Sequence, residues 1–397
     1  MNLDKVIKQL EEFATEYPDY LMDVKVLAVK LRLCLDDGWE EILKSYFLSH
    51  SEMHNVFRAY LSQRSRTFRI YHGIPEHLQS RLKQAQAIDH LKSWADTVHA
   101  VPNQTDPLPI ISGSFVKAAK QLWKDRVCGN EHILKILLRH GVEYGKTGKT
   151  NPILLYGPPG IGKTLIGKTY GAILNLPHIF ISGPSAASNR GLAGAPNLYT
   201  GAGPGAIVQA MISARTGNPV ICIDEIDKAV GGYSANPNFQ NELLSALDES
   251  NAHFFDNYIE MYLDISHIPF VFTANDITAL SQPLLDRIEL VEMSAPSRET
   301  LHTIMREHTL PEIMKKFDGD LVRVDDGVID TTVEVLWNKG NRSCRPYQKA
   351  MNILISDAYL KALESEKTVT VTVEDVHRAV KELFPDSRSR QLGFLTA

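Results

Sequence analysis

Residues 157–164 run Gly157, Pro158, Pro159, Gly160, Ile161, Gly162, Lys163, Thr164, directly after the short apolar stretch Ile153 to Tyr156. Glycines at this spacing let a loop backbone turn its N–H groups inward around phosphate oxygens. Lys163 adds a point charge for the β- and γ-phosphates, the Thr164 hydroxyl can ligate Mg²⁺, and Leu165 continues the segment into a helix. A buried strand, a phosphate loop and a helix in that order predict a bound nucleoside triphosphate. An ordinary Gly/Pro turn would not need the lysine and the hydroxyl at these two positions.

A second group of chemically able residues lies about 60 positions downstream. Pro219 to Asp224, PVICID, is an apolar strand that ends in Asp224, Glu225, Ile226, Asp227 and Lys228. A carboxylate at the carboxyl end of such a strand sits beside a phosphate loop, where Asp224 can hold Mg²⁺ and Glu225 can polarise an attacking water. Ile268 to Thr273 is a further core strand leading to Ala274, Asn275 and Asp276, and the Asn275 amide can orient the lytic water or contact the γ-phosphate. A turn-forming asparagine that caps the strand is the plainer alternative. Arg287 precedes the strand Ile288 to Met293; it can pair with Asp286 or Glu289, or reach a neighbouring subunit's γ-phosphate as an arginine finger.

The elements that must position these groups alternate strand and helix from about residue 150 onward. A chain of 397 residues with 44% hydrophobic content is long enough for two or three domains with real cores. Residues 1–100 carry helical periodicity, as in Leu3, Val6, Ile7, Leu10 and Phe13, and predict a small all-α domain. Arg58, Arg64, Arg66 and Arg69, interleaved with Tyr60, Phe68 and Tyr71, read as a solvated face, with a nucleic-acid or partner surface as the alternative. Val101 to Ser112 holds three prolines and reads as a linker. Helices are expected over Phe115 to His140, followed by a turn at Gly141 and a polar loop or hairpin over Tyr144 to Thr150. Gly183 to Gly205 is too rich in Gly, Ala, Ser and Pro for a core and is expected to be a mobile loop.

The net charge of −5 gives no general attraction for nucleic acid or anionic membrane. No apolar run reaches the length of a membrane span, and the charged residues of the first turn do not fit a signal peptide, so a cytoplasmic location is expected. Cys34, Cys128, Cys222 and Cys344 have no paired spacing and read as reduced structural thiols.

These motifs together resemble the AAA+ ATPases. GPPGIGKT, the strand ending DEIDK, the strand ending TAND and the segment PLLDRIEL match that family's phosphate loop, acidic strand end, first sensor and arginine finger. The order YTGAGPG, NPVICIDEIDK, LLSALDESNAHFFDNYIE and QPLLDRIEL is similar to the ATPase module of the Lon proteases, over roughly residues 115–383. The resemblance implies an α/β P-loop fold with a parallel five-stranded sheet, a mainly helical lid, ATP with Mg²⁺ as ligands, and a homo-oligomeric, usually hexameric, ring. On that basis residues 1–105 form a helical recognition domain, 106–296 the nucleotide-binding core, and 297–397 the lid and a short tail. Arg342, after Gly340 and Asn341, matches the second sensor, which touches the same subunit's nucleotide. Tyr199, followed by Thr200, matches the aromatic that grips polypeptide in the ring's channel, and Tyr233 is a candidate for a second such loop. A peptidase domain follows the lid in the Lon proteases, and none is expected on this chain. The resemblance therefore implies an ATP-driven motor that remodels a protein target. An ATP-dependent switch or scaffold and a DNA-acting AAA+ protein are the alternatives.

Overall fold

The computed structural model describes residues 3–32, 39–64, 67–85, 89–197, 201–231, 237–317 and 321–384. They fall into two compact units, one of residues 1–125, 132–154 and 167–290, the other of residues 126–131, 155–166 and 291–397.

The first unit opens with helices α1 (Leu3–Glu16), α2 (Leu21–Arg32), α3 (Trp39–Ser49), α4 (Ser51–Arg64), α5 (Glu76–Ala85) and α6 (Asp89–Ala100). Val6, Leu10, Phe13, Val24, Leu27 and Leu31, spaced three and four apart, bury one stripe of α1 against one stripe of α2. Ile110 packs into the same cluster. The stretch 101–112 is thus fastened, not loose: the Ile70 N–H donates to the Asn103 carbonyl at 3.3 Å, Thr105 to Phe68 at 3.1 Å and Gly217 to Gln104 at 2.9 Å. Phe68 stacks on His267 with ring centroids 3.8 Å apart, so the aromatic end of the arginine-rich stretch is used inside the unit. No division between the two units falls at residue 105.

Helix α7 (Gly113–Arg126) and helix α8 (Glu131–Thr147) come next. The expected turn at Gly141 and loop from Tyr144 are absent, because Ile133, Leu134, Leu137 and Tyr144 keep one buried helical face as far as residue 147. The glycines there permit close approach: a Cβ on Gly145 would lie 2.5 Å from the Ile111 side chain.

Strand β1 (Ile153–Tyr156), helix α9 (Lys163–Leu174), strand β2 (His178–Ser182), helices α10 (Gly183–Ser188) and α11 (Ala206–Ala214), and strand β3 (Val220–Asp224) continue the alternation. Helices α12 (Ile226–Gly231) and α13 (Pro237–Leu247) lead to a hairpin of β4 (Phe254–Asp256) and β5 (Met261–Leu263), then β6 (Phe270–Ala274), the short helix α14 (Gln282–Leu285) and β7 (Glu289–Glu292). The five-stranded parallel sheet has the order β2-β3-β6-β1-β7. Its central members are apolar up to their carboxyl ends, where Asp224 closes β3 and Thr273 stands next to last in β6, as expected of strands covered on both faces. In register, Ile221, Cys222 and Ile223 face Phe270, Val271 and Phe272.

The second unit contains α15 (Arg298–Ile304), α16 (Leu310–Lys316), β8 (Val322–Val324), α17 (Gly327–Asn338), α18 (Cys344–Ser365), β9 (Val369–Val371) and α19 (Val373–Leu383). Leu301, Val333, Leu336, Tyr347, Met351, Leu354, Val376 and Val380 form its core. The alternating apolar residues of Leu321 to Val324 and of Thr368 to Val373 predict a small ribbon; strands β8 and β9 make it, in parallel, with Val322 facing Val369. Met305–Thr309 is a π-helical turn. Pro311 lacks the N–H that a regular helix would direct to residue 307, which accounts for the widened turn.

Candidate nucleotide site

In the second unit the phosphate loop leaves β1 through Gly157, whose φ of +146° and closeness to the Met293 carbonyl exclude any side chain, since a Cβ would lie 2.2 Å from that oxygen. Gly160 (φ +75°) and Gly162 (φ +99°) are also left-handed. They face different things. A Cβ on Gly160 would meet Ser343 at 3.1 Å and the Arg345 side chain at 3.3 Å, whereas one on Gly162 would meet nothing within 4 Å. Lys163 is 8% exposed, and its ammonium donates to the carbonyls of Gly157 at 2.7 Å and Pro158 at 2.9 Å. Pro158, Pro159, Thr164 and Leu165 are exposed, and Ile161 is buried as the loop's anchor.

The lid helix α18 begins against this loop. The Cys344 N–H donates to the Gly160 carbonyl at 3.0 Å, so the first residue of α18 is tied to the loop's tip. Arg342 does not reach that tip: its guanidinium lies 3.6 Å over the Trp337 ring and donates to the Trp337 carbonyl at 2.8 Å. Arg345, three residues on, is the arginine beside Gly160. Burial pushes the Cys344 thiol up to about 11 and the Cys222 thiol up to about 12, so both are protonated at neutral pH, as structural thiols should be.

In the first unit the carboxylates and the candidate sensor sit at the adjoining ends of β3 and β6. Glu225 turns out of β3 with φ +55°, a left-handed conformation in a residue that is not glycine, and its carbonyl starts α12 by accepting from the Lys228 N–H at 3.1 Å. The Glu225 carboxylate pairs with the Lys228 ammonium. Thr273, fully buried, accepts from the Glu225 N–H at 3.0 Å and donates to an Asp224 carboxylate oxygen. Asp227, 9% exposed, accepts from the N–H groups of Asn275 at 3.1 Å and Asp276 at 3.2 Å. Asn275 is therefore held by its backbone just past β6, whose neighbours in the sheet are β3 and β1. Arg287 is exposed, with one guanidinium nitrogen donating to the Pro283 carbonyl at 2.8 Å.

Sequence reasoning missed the parts played by Thr273, Asp227 and Arg345. Thr273 was legible only as a hydroxyl closing an otherwise apolar strand, and Asp227 only as the third acid of DEID.

The described residues of the stretch 183–205 do not form the loose loop expected from its composition. They open with α10, bury Leu192 completely, and close through an antiparallel bridge between Ala195 and Gly203. The Glu242 carboxylate accepts from the Leu192 and Ala193 N–H groups, the Asp256 carboxylate from the Gly205 N–H at 2.8 Å, and the Asn257 N–H donates to the Ala193 carbonyl at 2.7 Å. Arg81 on α5 donates to the Asn197 side chain at 2.9 Å and to Glu260 at 2.7 Å. Tyr199, Thr200 and Tyr233 lie outside the described residues, as do Cys34 and residues 385–397.

Two features test whether a nucleotide with its metal fits these residues. Gly162 has the backbone conformation and the open space of a phosphate cradle. The Thr164 hydroxyl, in the second unit, and the Asp224 carboxylate, in the first, are each hard oxygens of the kind that Mg²⁺ takes. Among the described residues no group of three or more His, Cys, Asp or Glu side chains is placed to hold a metal by itself. Mg²⁺ is usually held by one or two carboxylates and the substrate's phosphates. The residues fit the group.

Residues 153–294 match the family model described as "ATPase family associated with various cellular activities (AAA)". The chain is 34% identical over 248 residues to a Lon protease of Methanosphaera stadtmanae, covering 62% of this chain and 30% of that protein. It is 35% identical over 275 residues to Lon protease 4 of Sorangium cellulosum, covering 66% and 34%. It is 27% identical over 406 residues to a mitochondrial Lon protease homolog of Yarrowia lipolytica, covering 98% and 33%. The chain spans about a third of the length of these relatives. No described helix is long and apolar enough to cross a membrane. With its phosphate loop, acidic strand end and parallel sheet, the chain carries an AAA-family ATPase domain related to that of the Lon proteases.

Proposed function

We propose that this chain is an ATP-hydrolysing motor of Lon type that acts in the cytoplasm as a homo-oligomeric ring, most simply a hexamer, and remodels or unfolds a protein target. The observation that carries the reading is the joined end of β3 and β6, where Thr273 and Asp227 hold the acidic pair and Asn275 in fixed relation.

In this reading the inward N–H groups of residues 157–164 bind the β- and γ-phosphates, and Lys163 exchanges its carbonyl partners for phosphate oxygens. Thr164 and Asp224 hold Mg²⁺, which when bound offsets the phosphate charge. Glu225 leaves Lys228 and takes a proton from the attacking water, while the Asn275 amide orients that water. Arg287, exposed on its own subunit, serves a neighbour's γ-phosphate, a contribution on the order of 10³–10⁵ in rate for arginine fingers. Arg342 acts as the second sensor by leaving Trp337 when nucleotide is bound. Residues 1–105 recognise the target, 106–296 bind nucleotide and 297–397 report its state. Tyr199, Thr200 and Tyr233 grip the polypeptide. ATP hydrolysis, not peptide-bond cleavage, is the reaction proposed for these 397 residues.

The test compares Lys163→Ala with Glu225→Gln. Lys163→Ala is expected to abolish ATP binding, and Glu225→Gln to keep ATP bound while hydrolysis stops, with the parent rate rising when unfolded casein is added. Equal loss of ATP affinity in both variants would contradict the roles given to the two residues. A parent that binds ATP without turning it over would favour a nucleotide switch, and stimulation by DNA instead of casein would favour a nucleic-acid target.

A further inference from the structure

The hydrogen-bonded ladder between β3 and β6 ends at the pair Ile223 and Phe272, and the next two residues, Asp224 and Thr273, are joined through a side chain. A threonine hydroxyl has one hydrogen to give and lone pairs to accept with. Here the partners dictate its use. A backbone N–H can only donate, so Thr273 accepts from Glu225 at 3.0 Å, and an ionised carboxylate can only accept, so the same hydroxyl donates to Asp224. One oxygen atom thus meets both acids through different groups: the side chain of the first and the backbone of the second.

We propose that Thr273 is a positioning residue for ATP hydrolysis, setting the aim of the Asp224 carboxylate and the left-handed backbone of Glu225 together. The inference rests on the reading of Asp224 as metal ligand and Glu225 as base. Glu225 has φ +55°, which a residue with a Cβ rarely adopts, and that turn throws its side chain out of the strand line. The N–H bond to Thr273 holds the turn open. Thr273 is suited to the task because its β-branched side chain is stiff about χ1 and is completely enclosed, so the hydroxyl has no alternative direction. Asp227 makes the reverse contact, from α12 to the N–H groups of Asn275 and Asp276, and its second carboxylate oxygen is buried without a hydrogen-bond partner. Each strand end therefore lends one side chain to the backbone of the other, and the base and the sensor move as a pair.

Thr273→Val keeps the shape and removes the hydroxyl; Thr273→Ser keeps the hydroxyl. Second-layer partners of metal ligands are worth about 10–100-fold in metal affinity or activity. Thr273→Val is expected to lower kcat by about that factor, to raise the Mg²⁺ concentration for half-maximal activity roughly tenfold, and to leave the Kd of a fluorescent ATP analogue within about threefold. Amide hydrogen exchange at Glu225 should quicken, a readout independent of turnover. Thr273→Ser should restore kcat to within about threefold of the parent. Should the valine variant not fold, Thr273→Ala removes the same hydroxyl without adding volume and is read by the same measurements. A folded hydroxyl-free variant with parental kcat and Mg²⁺ dependence overturns the proposal, and so does equal loss in the serine and valine variants. Glu225→Gln separates this inference from the one beneath it: if that variant still hydrolyses ATP, the assignment of the base is wrong, whatever Thr273 does.

Discussion

Residues 157–164 and residues 183–205 are both rich in glycine, small residues and proline, yet they are built for opposite ends. In the first, Gly157 and Gly160 lie close to other atoms but the chain bends so that Gly162 faces open space. In the second, nearly every glycine is pressed against something. A Cβ on Gly191 would lie 2.2 Å from the Glu242 carboxylate, on Gly203 2.3 Å from the Arg190 guanidinium, and on Gly205 2.0 Å from the Leu192 carbonyl. Composition cannot tell the two apart, because glycine permits both an open cradle and a close approach of backbones. The neighbours decide. Carboxylates from distant elements, Glu242 and Asp256, turn an apparent loop into a fixed platform.

Three changes would break or sharpen that contrast. The largest effect is expected from Gly162→Ala, since a methyl group would enter the open cradle and the φ of +99° disfavours alanine by roughly 1–2 kcal/mol. ATP affinity should fall by about 100-fold or more, about 3 kcal/mol, with only a small change in melting temperature. Titration with a fluorescent ATP analogue checks it, and unchanged affinity would remove the cradle assignment. Gly205→Ala should do the reverse. Its methyl would collide with backbone atoms, and overpacking of this kind costs typically about 1–3 kcal/mol, so thermal unfolding should shift down while ATP affinity stays within about threefold. A loss of affinity with no loss of stability would show that the platform serves the nucleotide after all.

The smallest effect comes from the carboxylate that holds the platform. Burial pushes Asp256 up to about 6, against the hydrogen bonds from Ile259, Gly205 and Tyr258 that favour its charged form. An acid whose pKa is higher in the folded state than in the unfolded chain favours folding most when protonated. That contribution is complete below about pH 3.8 and is lost as pH rises through about 6. Stability should therefore decline between about pH 4 and 6 by on the order of 1–3 kcal/mol relative to Asp256→Asn, in which the slope is absent. Urea unfolding of the parent and of Asp256→Asn across this range checks it, and pH profiles that run parallel would refute the claim.

The phosphate loop, the acidic strand end, the parallel sheet and the lid ribbon were all legible in the sequence, because each is a local pattern: an apolar run, a spacing of glycines, or a polar residue where a strand stops. What was hidden depends on distant partners. The helical course of residues 141–147 is set by packing against Phe115 and Ile111, which overrides the two glycines. The fastening of 101–112 depends on Phe68, Ile70 and Thr216, none of them neighbours in sequence. The β4–β5 hairpin, three residues per strand, is too short for alternation to mark it, though the end of β4 supplies Asp256 and the turn supplies Asn257. The resemblance pointed to Arg342, whereas Arg345 is the arginine beside Gly160, and the ring of Trp337 on which Arg342 lies is not visible as a partner in the sequence.

The hydrogen bond from the Cys344 N–H to the Gly160 carbonyl has a mechanical consequence. It joins the tip of the phosphate loop to the end of a rod: α18 has 22 residues and is about 33 Å long at 1.5 Å per residue. A rotation of about 5° pivoting on that bond carries the far end, at Ser365, through about 3 Å by simple leverage over that length. A small rotation at Gly160 thus becomes a displacement that grows along the helix, and its size at the far end is fixed by the length of α18 and by the bond that pins its first residue.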